Sequence, residues 1–438
     1  MNREDLALAI ESAGGRLYLV GGSVRDRLRG LGPVDDDYCV TGLTGETFEV
    51  MFPDSYPVGK AFSVYRVPIE GRFAEVSLAR TESKAGTGHT SFDVAVSPFI
   101  TIEQDLRRRD LTINALAWDV LAKQLVDPYG GVEDIQERRI RAVSSAFAED
   151  PLRVYRAARF AAQLGFTIDP ETVRLMESLR AELPALSVER VFTETRKALC
   201  SDRPSVYFRA LLQAEVLDVH FPEIKALCGV PQPARHHPEG DAFEHTMQVL
   251  DAAANLTQRE EIRFAALVHD LGKAETPTHL WPAHHGHEAR GAALVRRLCE
   301  RLKPPAAWTR AAIFAAERHM QAHVLHQMRP IKVVDLLEAA NRNPIGVEGF
   351  AMVATADMRG RNKPDFVHEN AEMMVDLWRR MTSEVTGRDI HCDCRGKAFG
   401  EALRKARANF VSQYRASFHG LTPIMRTHME SAPKNEGS

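Results

Sequence analysis

The 438-residue chain has no apolar run near the ~18–20 residues needed to span a bilayer. Its opening, Met1-Asn2-Arg3-Glu4-Asp5-Leu6, carries acids early and has no apolar stretch, so it does not read as a signal peptide. Cysteine is scarce: six residues (39, 200, 228, 299, 392 and 394) lie scattered, which excludes a disulfide framework. Together these absences make the cytoplasm the default location. Positive charge is not in excess either: 56 Lys and Arg stand against 59 Asp and Glu, a net charge of −3. That excludes a protein coated in basic charge, and a nucleic-acid partner then requires basic residues segregated onto one face. What is there is an ordinary folded composition, 44% hydrophobic and 26% charged, with length for roughly three domains. Seventeen histidines, many of them between residues 236 and 326, hint at a metal site when Asp and Glu lie among them.

Residues 1–145 read as mixed α/β. Arg16-Leu17-Tyr18-Leu19-Val20 is a short strand broken by Gly21-Gly22, and Ser23 can cap a helix through Leu28 that Gly30 stops. Further strands are expected at 34–40, 62–69 and 72–79, the last two joined tightly by Glu70-Gly71. The polar, glycine-containing stretch Thr81–Thr90 reads as a loop. From about 146 the period becomes 3.6. A helix is expected from Leu152 to Gly165, then helices at 186–200, 204–215, 242–256, 258–272, 287–302, 307–320, 331–340, 367–383 and 398–412. The fold class is α+β: a small head with a mixed sheet, then an all-helical body.

Asp35-Asp36-Asp37-Tyr38-Cys39-Val40 opens a strand with three acids. Alternation puts Asp35 and Asp37 on one face and Val34, Asp36, Tyr38 and Val40 on the other. Two carboxylates projecting together can bind one or two hard cations such as Mg²⁺, which would activate a hydroxyl and stabilise a leaving pyrophosphate. Alone, Asp-x-Asp is more often a solvated acidic turn. Just upstream, however, Gly21-Gly22-Ser23-Val24-Arg25-Asp26 supplies a strand, a glycine turn and a helix start suited to triphosphate oxygens. Downstream, Pro151 favours a helix start, so Asp150 and Arg153 share a face. There they can pair with a base edge, Arg153 donating to cytosine O2 and N3 and Asp150 accepting from its amino group. A capping acid with an ion pair has the same spacing.

These motifs resemble the class II tRNA nucleotidyltransferase and bacterial poly(A) polymerase family of the polymerase-β superfamily. The resemblance continues in order through Arg108-Arg109-Asp110-Leu111-Thr112-Ile113-Asn114-Ala115-Leu116, Asp127-Pro128-Tyr129-Gly130-Gly131 and Glu149-Asp150-Pro151-Leu152-Arg153-Val154-Tyr155-Arg156-Ala157-Ala158-Arg159-Phe160, and covers essentially the whole chain. It implies that Asp35 and Asp37 are the catalytic Mg²⁺ carboxylates and that Gly22, Arg25, Arg109, Asp150, Arg153, Arg156 and Arg159 bind ATP and CTP. Glu75 is either a third carboxylate beside the metals or an exposed strand acid, and Asp110 either orients Arg109 or faces the nucleotide. The segment after Arg80 matches the loop that helps CCA-adding members switch from C to A.

A second group is His245, His269-Asp270-Leu271-Gly272-Lys273 and Asp357. Its order resembles an HD-superfamily phosphohydrolase, whose donor set suits Ni²⁺, Mn²⁺ or Co²⁺. A metal so held can activate water against a phosphate ester. His284, His285, His287 and His319 are candidate further ligands or phosphate contacts. The bacterial group that keeps this domain, described as multifunctional CCA proteins, implies 2′,3′-cyclic phosphodiesterase, 2′-nucleotidase and phosphatase activity. His391-Cys392-Asp393-Cys394 lacks a second pair and reads as a loop.

The expected organisation is a nucleotidyltransferase head (1–145), a helical neck for base recognition (146–225), an HD domain (226–345) with Asp357 just beyond, and a helical tRNA-binding tail (346–438). The expected partner is the tRNA acceptor arm, gripped by residues among Arg107-Arg108-Arg109, Arg138, Arg139, Arg141, Arg190, Lys197, Arg359, Arg361, Arg404, Lys405 and Arg407. The protein is a monomer or homodimer with no membrane contact. The rival readings are a poly(A) polymerase, an RNA-docked HD phosphohydrolase, and an RNA-binding module without catalysis.

Overall fold

The computed structural model describes residues 1–32, 36–58, 64–84, 92–390 and 395–418. It divides into two compact units, Met1–Pro222 and Glu223–Ser438.

The first unit is built on a seven-stranded mixed sheet. Its strands are β1 (Arg16–Val20), β2 (Asp37–Thr41), β3 (Tyr56–Val58), β4 (Val64–Ile69) and β5 (Arg72–Leu78); a separate hairpin, β6 (Arg80–Lys84) and β7 (Phe92–Val96), precedes β8 (Ala117–Asp119) and β9 (Gln124–Val126). The sheet order is β3-β4-β5-β2-β1-β8-β9. β2 and β5 are parallel and their other neighbours antiparallel. Period-two alternation sorts the side chains. Leu17, Leu19, Tyr38, Val40, Tyr65, Val67 and Val76 pack with Leu6 and Ile10 of the helix Arg3–Ser12 and Phe48 of the helix Gly45–Met51. Phe48 and Leu6 are fully buried, each worth about 1.5–3 kcal/mol. Tyr18, Val20 and Cys39 face the other way, against Ile102 and Leu106. Asp37 opens β2 on the Cys39 side.

Three expectations need correction. Ser23 is not the cap: the helix Gly22–Leu28 begins after Gly21, at φ 71°, and Ser23 Oγ donates to Val20 O. Thr81–Thr90 is not all loop, because Arg80–Lys84 pairs with Phe92–Val96; residues 85–91 lie outside the described set. The strand expected at 34–40 begins at Asp37, with 33–35 outside the described residues. The β4–β5 turn is as expected, with Glu70 and Gly71 both at positive φ (52° and 79°), the geometry that matches strand twist in a two-residue hairpin.

The helix Leu152–Leu164 starts after Pro151 and ends at Gly165 in the left-handed conformation, as the sequence suggests. In the second unit Ala242–Leu256 and His287–Leu302 have the expected bounds. The helix Gly346–Arg359, which carries Asp357, has no counterpart among the expected ones. Glycine at 346, 349 and 360 and β-branched Val347, Val353 and Thr355 lower its intrinsic propensity. Packing overrides that, since Val347, Phe350 and Val353 join the unit's main core. Among the described residues no helix is long and apolar enough to cross a membrane.

Candidate active sites

In the head, a cavity of about 600 Å³ is lined by Gly21, Gly22, Asp37, Glu75 and a ring of arginines. Gly21 is there of necessity: a Cβ would stand 2.9 Å from Arg109 Nη1, at a φ that side chains rarely adopt. Asp37 is aligned with Glu75 on the adjacent β5, so both acids project from one face of the sheet. Asp36 points the other way, accepting two hydrogen bonds from Arg27 Nη2 (2.9 and 3.0 Å). Asp35 lies outside the described residues.

A hydrogen-bonded chain sets the cavity floor. Arg25 is held by Asp26 at 2.9 Å and donates through Nη1 to Asn114 Oδ1 at 2.6 Å. Asn114 Nδ2 donates to Asp110 Oδ1 at 3.1 Å, and Asp110 Oδ2 accepts from Arg156 Nε at 2.7 Å. Asp110 therefore orients Arg156, not Arg109. Arg109 is held by Asp105 at 3.3 Å, which also takes Arg108 at 2.7 Å. The Phe160 ring sits beneath three guanidinium groups: Arg159 at 3.8 Å, Arg25 at 5.2 Å and Arg156 at 5.7 Å. Arg159 is further fixed by Glu194 at 2.5 Å. The result is a dense positive wall with fixed geometry facing two carboxylates.

Asp150 and Arg153 both line this cavity, and both are also hydrogen-bonded within the fold. Asp150 accepts from Leu152 N and from Arg190 Nη2 at 2.9 Å. Arg153 donates to the carbonyls of Ala146 and Arg108, each at 2.6 Å.

In the second unit three helices converge. His245 lies on Ala242–Leu256, His269 ends Glu260–Val268, Asp270 follows it, and Asp357 is on Gly346–Arg359. Glycine permits this: a Cβ at Gly272 would lie 1.9 Å from His287 O, and one at Gly360 would lie 2.4 Å from Val249 Cγ2. His245 Nε2 is 3.1 Å from Asp357 Oδ1 and 3.6 Å from Asp270 Oδ2, and His269 Nε2 is 3.2 Å from Asp270 Oδ2. His269, His287 and His319 approach backbone carbonyls through Nδ1 at 2.7, 2.8 and 3.1 Å. Donating there, a neutral imidazole keeps its lone pair on Nε2. The Nε2 atoms of His287 and His319 face Asp270 Oδ1 at 3.2 and 3.4 Å and each other at 3.2 Å, an arrangement that calls for a cation between them. His245 Nε2, His269 Nε2 and Asp270 Oδ1 are buried with no hydrogen-bond partner. Orphaned lone pairs aimed at common points are the donor set a metal satisfies. Three overlapping triads result, His237-Glu239-His245, His245-His269-Asp357 and His269-Asp270-His319. Burial would raise Asp270 and Asp357, but Lys273 with His269 and His287 around Asp270, and Arg361 with His323 and His245 around Asp357, together offset it and hold both well below the usual carboxylate range. An adjoining cavity of about 460 Å³ is lined by Lys273, His285 and Arg361.

Comparison with known proteins decides the family. Residues 17–141 match the Poly A polymerase head domain, 165–228 a probable RNA and SrmB-binding site of polymerase A, and 242–341 an HD domain. The chain is 42% identical to the multifunctional CCA protein of Nitrosococcus oceani, over 91% of this chain and 98% of that one. It is 43% identical to that of Methylococcus capsulatus, over 96% and 100%. The chain belongs to the multifunctional CCA protein family. It is thus a tRNA nucleotidyltransferase by family, and its HD domain is of the metal-dependent hydrolase kind. The fold agrees: the CCA-adding enzyme of Bacillus stearothermophilus in complex with CTP superposes with a TM-score of 0.62 at 22% identity, covering 94% of this chain and 92% of that one. A CCA-adding enzyme with ATP gives 0.61 at 18%, covering 100% and 97%.

Within the first unit, the motif residues Gly22, Arg25, Asp37, Arg109, Asp150, Arg153, Arg156 and Arg159 meet at one cavity. The tRNA candidates fare differently. Arg139 and Arg141 are paired with buried Asp134 (2.6 and 2.8 Å), Arg404 with Asp335 (2.6 Å), Arg407 with Glu338 (3.1 Å) and Arg361 with Asp357 (3.0 Å). Arg190 lines the head cavity and pairs with Asp150 at 2.9 Å. His284 spends both ring nitrogens on Thr276 Oγ1 and Pro231 O, at 3.0 and 2.9 Å, which removes it as a ligand. His391–Cys394 lies outside the described residues. Sequence reasoning missed Glu239, whose Oε1 is 2.8 Å from both His237 Nδ1 and His245 Nδ1; no spacing pattern ties it to the HD residues. It also missed the roles of Asn114 and Phe160, although both stand within the quoted motifs.

Proposed function

We propose that this enzyme builds and repairs the 3′-terminal CCA of tRNA from CTP and ATP without a nucleic-acid template. We further infer that its HD unit is a separate phosphohydrolase acting as 2′,3′-cyclic phosphodiesterase, 2′-nucleotidase and phosphatase. The observation that carries the first reading is one cavity that joins an acidic sheet edge to an arginine wall, in a chain 43% identical to a multifunctional CCA protein over its full length. In the reaction the tRNA 3′-oxygen bonds to the α-phosphorus, the bond from that phosphorus to the bridging oxygen of the pyrophosphate breaks, and the hydroxyl proton leaves to solvent. Arg25, Arg109, Arg156 and Arg159 neutralise the triphosphate. Asp35 and Asp37 hold Mg²⁺, with Glu75 beside Asp37; when bound, the metal lowers the hydroxyl pKa and screens the leaving group. Asp150 and Arg153 read the base, steadied by Arg190 and by the two carbonyls.

In the HD unit His245, His269, Asp270 and Asp357 would hold a transition metal, Ni²⁺, Mn²⁺ or Co²⁺, with His287 and His319 beside Asp270 as further candidate ligands. A metal there supplies an activated water for a phosphate ester, and Lys273, Arg361 and His285 face the adjoining cavity where the phosphate would lie. We assign residues 1–145 to the head, 146–225 to the neck, 226–345 to the HD domain and 346–438 to the tail. We place the enzyme in the cytoplasm, as a monomer or homodimer.

The test is a tRNA transcript lacking CCA, incubated with Mg²⁺ and CTP, ATP or both, and resolved at single-nucleotide length. Two additions with CTP alone and a third when ATP joins are expected. Long adenosine tails from ATP alone would make it a poly(A) polymerase, and no extension would overturn the reading.

A further inference from the structure

The helix Gly22–Leu28 serves two cavities. Gly22 and Arg25, three apart, line the head cavity. Val24, Arg27 and Leu28, spaced i, i+3 and i+4, share another side of the helix and line a second cavity of about 410 Å³. Its floor is a single row of side chains: register aligns Tyr38 with Leu19, Leu19 with Trp118 and Trp118 with Leu125, one residue on each of β2, β1, β8 and β9. Alternation puts that row on the face of the sheet opposite Asp37. Trp118 and Leu28 stay 38% and 43% exposed, so apolar surface is left uncovered in a concave place. The charged groups around it are mostly cations. Arg3 and Lys123 enter no ion pair among the described residues. Arg27 gives Nη2 to Asp36, but its Nη1 is buried with no hydrogen-bond partner. Glu4 is the one acid in the lining.

We propose that this second cavity is a regulatory site for a small organic anion, a carboxylate carried on an apolar body, whose occupancy is felt by nucleotide addition through the helix Gly22–Leu28. The volume lies in the range of small-molecule sites, and an apolar wall with a few polar groups is their usual lining. Three cations against one acid select an anion over a cation. A buried N–H without an acceptor carries a desolvation cost that a bound carboxylate removes, which assigns the anionic end to Arg27 Nη1, with Arg3 and Lys123 adding charge. The apolar body then lies along Leu19, Trp118 and Leu125. The helix above it is short, so a ligand held by Arg27 acts within one turn of Gly22 and Arg25. That link to nucleotide addition rests on the nucleotidyl-transfer reading above; the site itself does not.

Two measurements on the full-length protein test this. In titration calorimetry the probes are octanoate, with a chain body, 2-naphthoate, with a flat one, and octan-1-ol, which has the chain without the charge. One-to-one binding of a carboxylate is expected, the tighter of the two showing which body the cavity takes, and octan-1-ol should bind at least tenfold more weakly than octanoate. R27Q should weaken carboxylate binding about tenfold or more, the worth of a hydrogen bond to a charged group. K123E, on an exposed turn, should weaken it about fivefold, the upper reach of one exposed charge pair, without moving the melting temperature. In steady-state kinetics with tRNA lacking CCA, a saturating carboxylate should change the KM for CTP at least twofold and leave the KM for tRNA unchanged. No binding by either carboxylate, equal binding by octan-1-ol, or wild-type affinity in both variants would overturn the site. An unchanged KM for CTP at saturation would overturn the link through the helix. A wild type that adds no nucleotide would overturn the function and the link together, and the calorimetry then still decides the site.

Discussion

His323 Nε2 lies 2.6 Å from Asp357 Oδ2, and a neighbouring ring fixes the direction of that hydrogen bond. His368 Nδ1 accepts the N–H of Ala371, so the His368 proton sits on Nε2 and is donated to His323 Nδ1 at 2.8 Å. His323 must then carry its own proton on Nε2 and give it to Asp357. Burial pushes His368 down to about 4, so it stays neutral at physiological pH and the tautomers hold. Oδ1 of Asp357 lies 3.1 Å from His245 Nε2 and also accepts from Arg361 Nη2 at 3.0 Å.

This relay predicts that H368A and H323A weaken metal binding in the HD unit by about 10–100-fold, the usual cost of losing a partner that orients a ligand. Titration with Co²⁺, followed by its visible absorption, reads this directly. Unchanged affinity in both variants would mean that the two histidines only pack.

Gly272→Ala should be severe although it adds one methyl group. The new Cβ would stand 1.9 Å from His287 O and 2.4 Å from Gly291 N, both backbone atoms that cannot move without shifting the helix His287–Leu302. We expect a loss of about 1–3 kcal/mol in chemical denaturation and loss of phosphohydrolase activity. CCA addition by the first unit should persist.

Asp110 predicts a pH dependence. Burial alone would raise it, but the Arg156 guanidinium and the Asn114 amide hold it below the ordinary aspartate value. A carboxylate depressed in the folded state contributes stability that is complete above its unfolded value of about 3.9 and is lost as pH falls through the folded value. At pH 7, D110N should cost about 1.5–3 kcal/mol, the worth of hydrogen bonds to a charged group. The gap between wild type and D110N should close as pH drops below about 4; a gap that stays constant would contradict the assignment.

The sequence exposed the two chemistries better than the connections between their residues. Asp37, Arg109, Asp150 and Arg156 were legible because each sits in an ordered motif, and the helix Leu152–Leu164 because Pro151 and Gly165 bracket it. The partners were not legible. That Asp110 holds Arg156 across 46 residues, or that Glu239 braces His245, depends on which elements meet. The pairing of the basic residues was hidden for a related reason. Composition shows how many arginines exist, but not that Arg139 and Arg141 are drawn onto buried Asp134. The helix carrying Asp357 was missed because tertiary packing, not propensity, forms it.

Chelation should separate the metals. EDTA should abolish both activities; Mg²⁺ should restore nucleotide addition, and Ni²⁺, Mn²⁺ or Co²⁺ the phosphohydrolase. The soft nitrogen donors of the HD cluster and the all-oxygen donors of the head have opposite preferences. Full recovery of both activities with Mg²⁺ alone would contradict this division.

One chain holding two independent active sites predicts that each activity can be removed without the other. The most direct test assays D37N and the double variant H269A/D270A side by side, for CCA addition to a truncated tRNA and for hydrolysis of a 2′,3′-cyclic nucleotide. D37N should lose CCA addition and keep hydrolysis, and H269A/D270A should do the reverse. Loss of both activities in either folded variant, or persistence of CCA addition in D37N, would contradict the account.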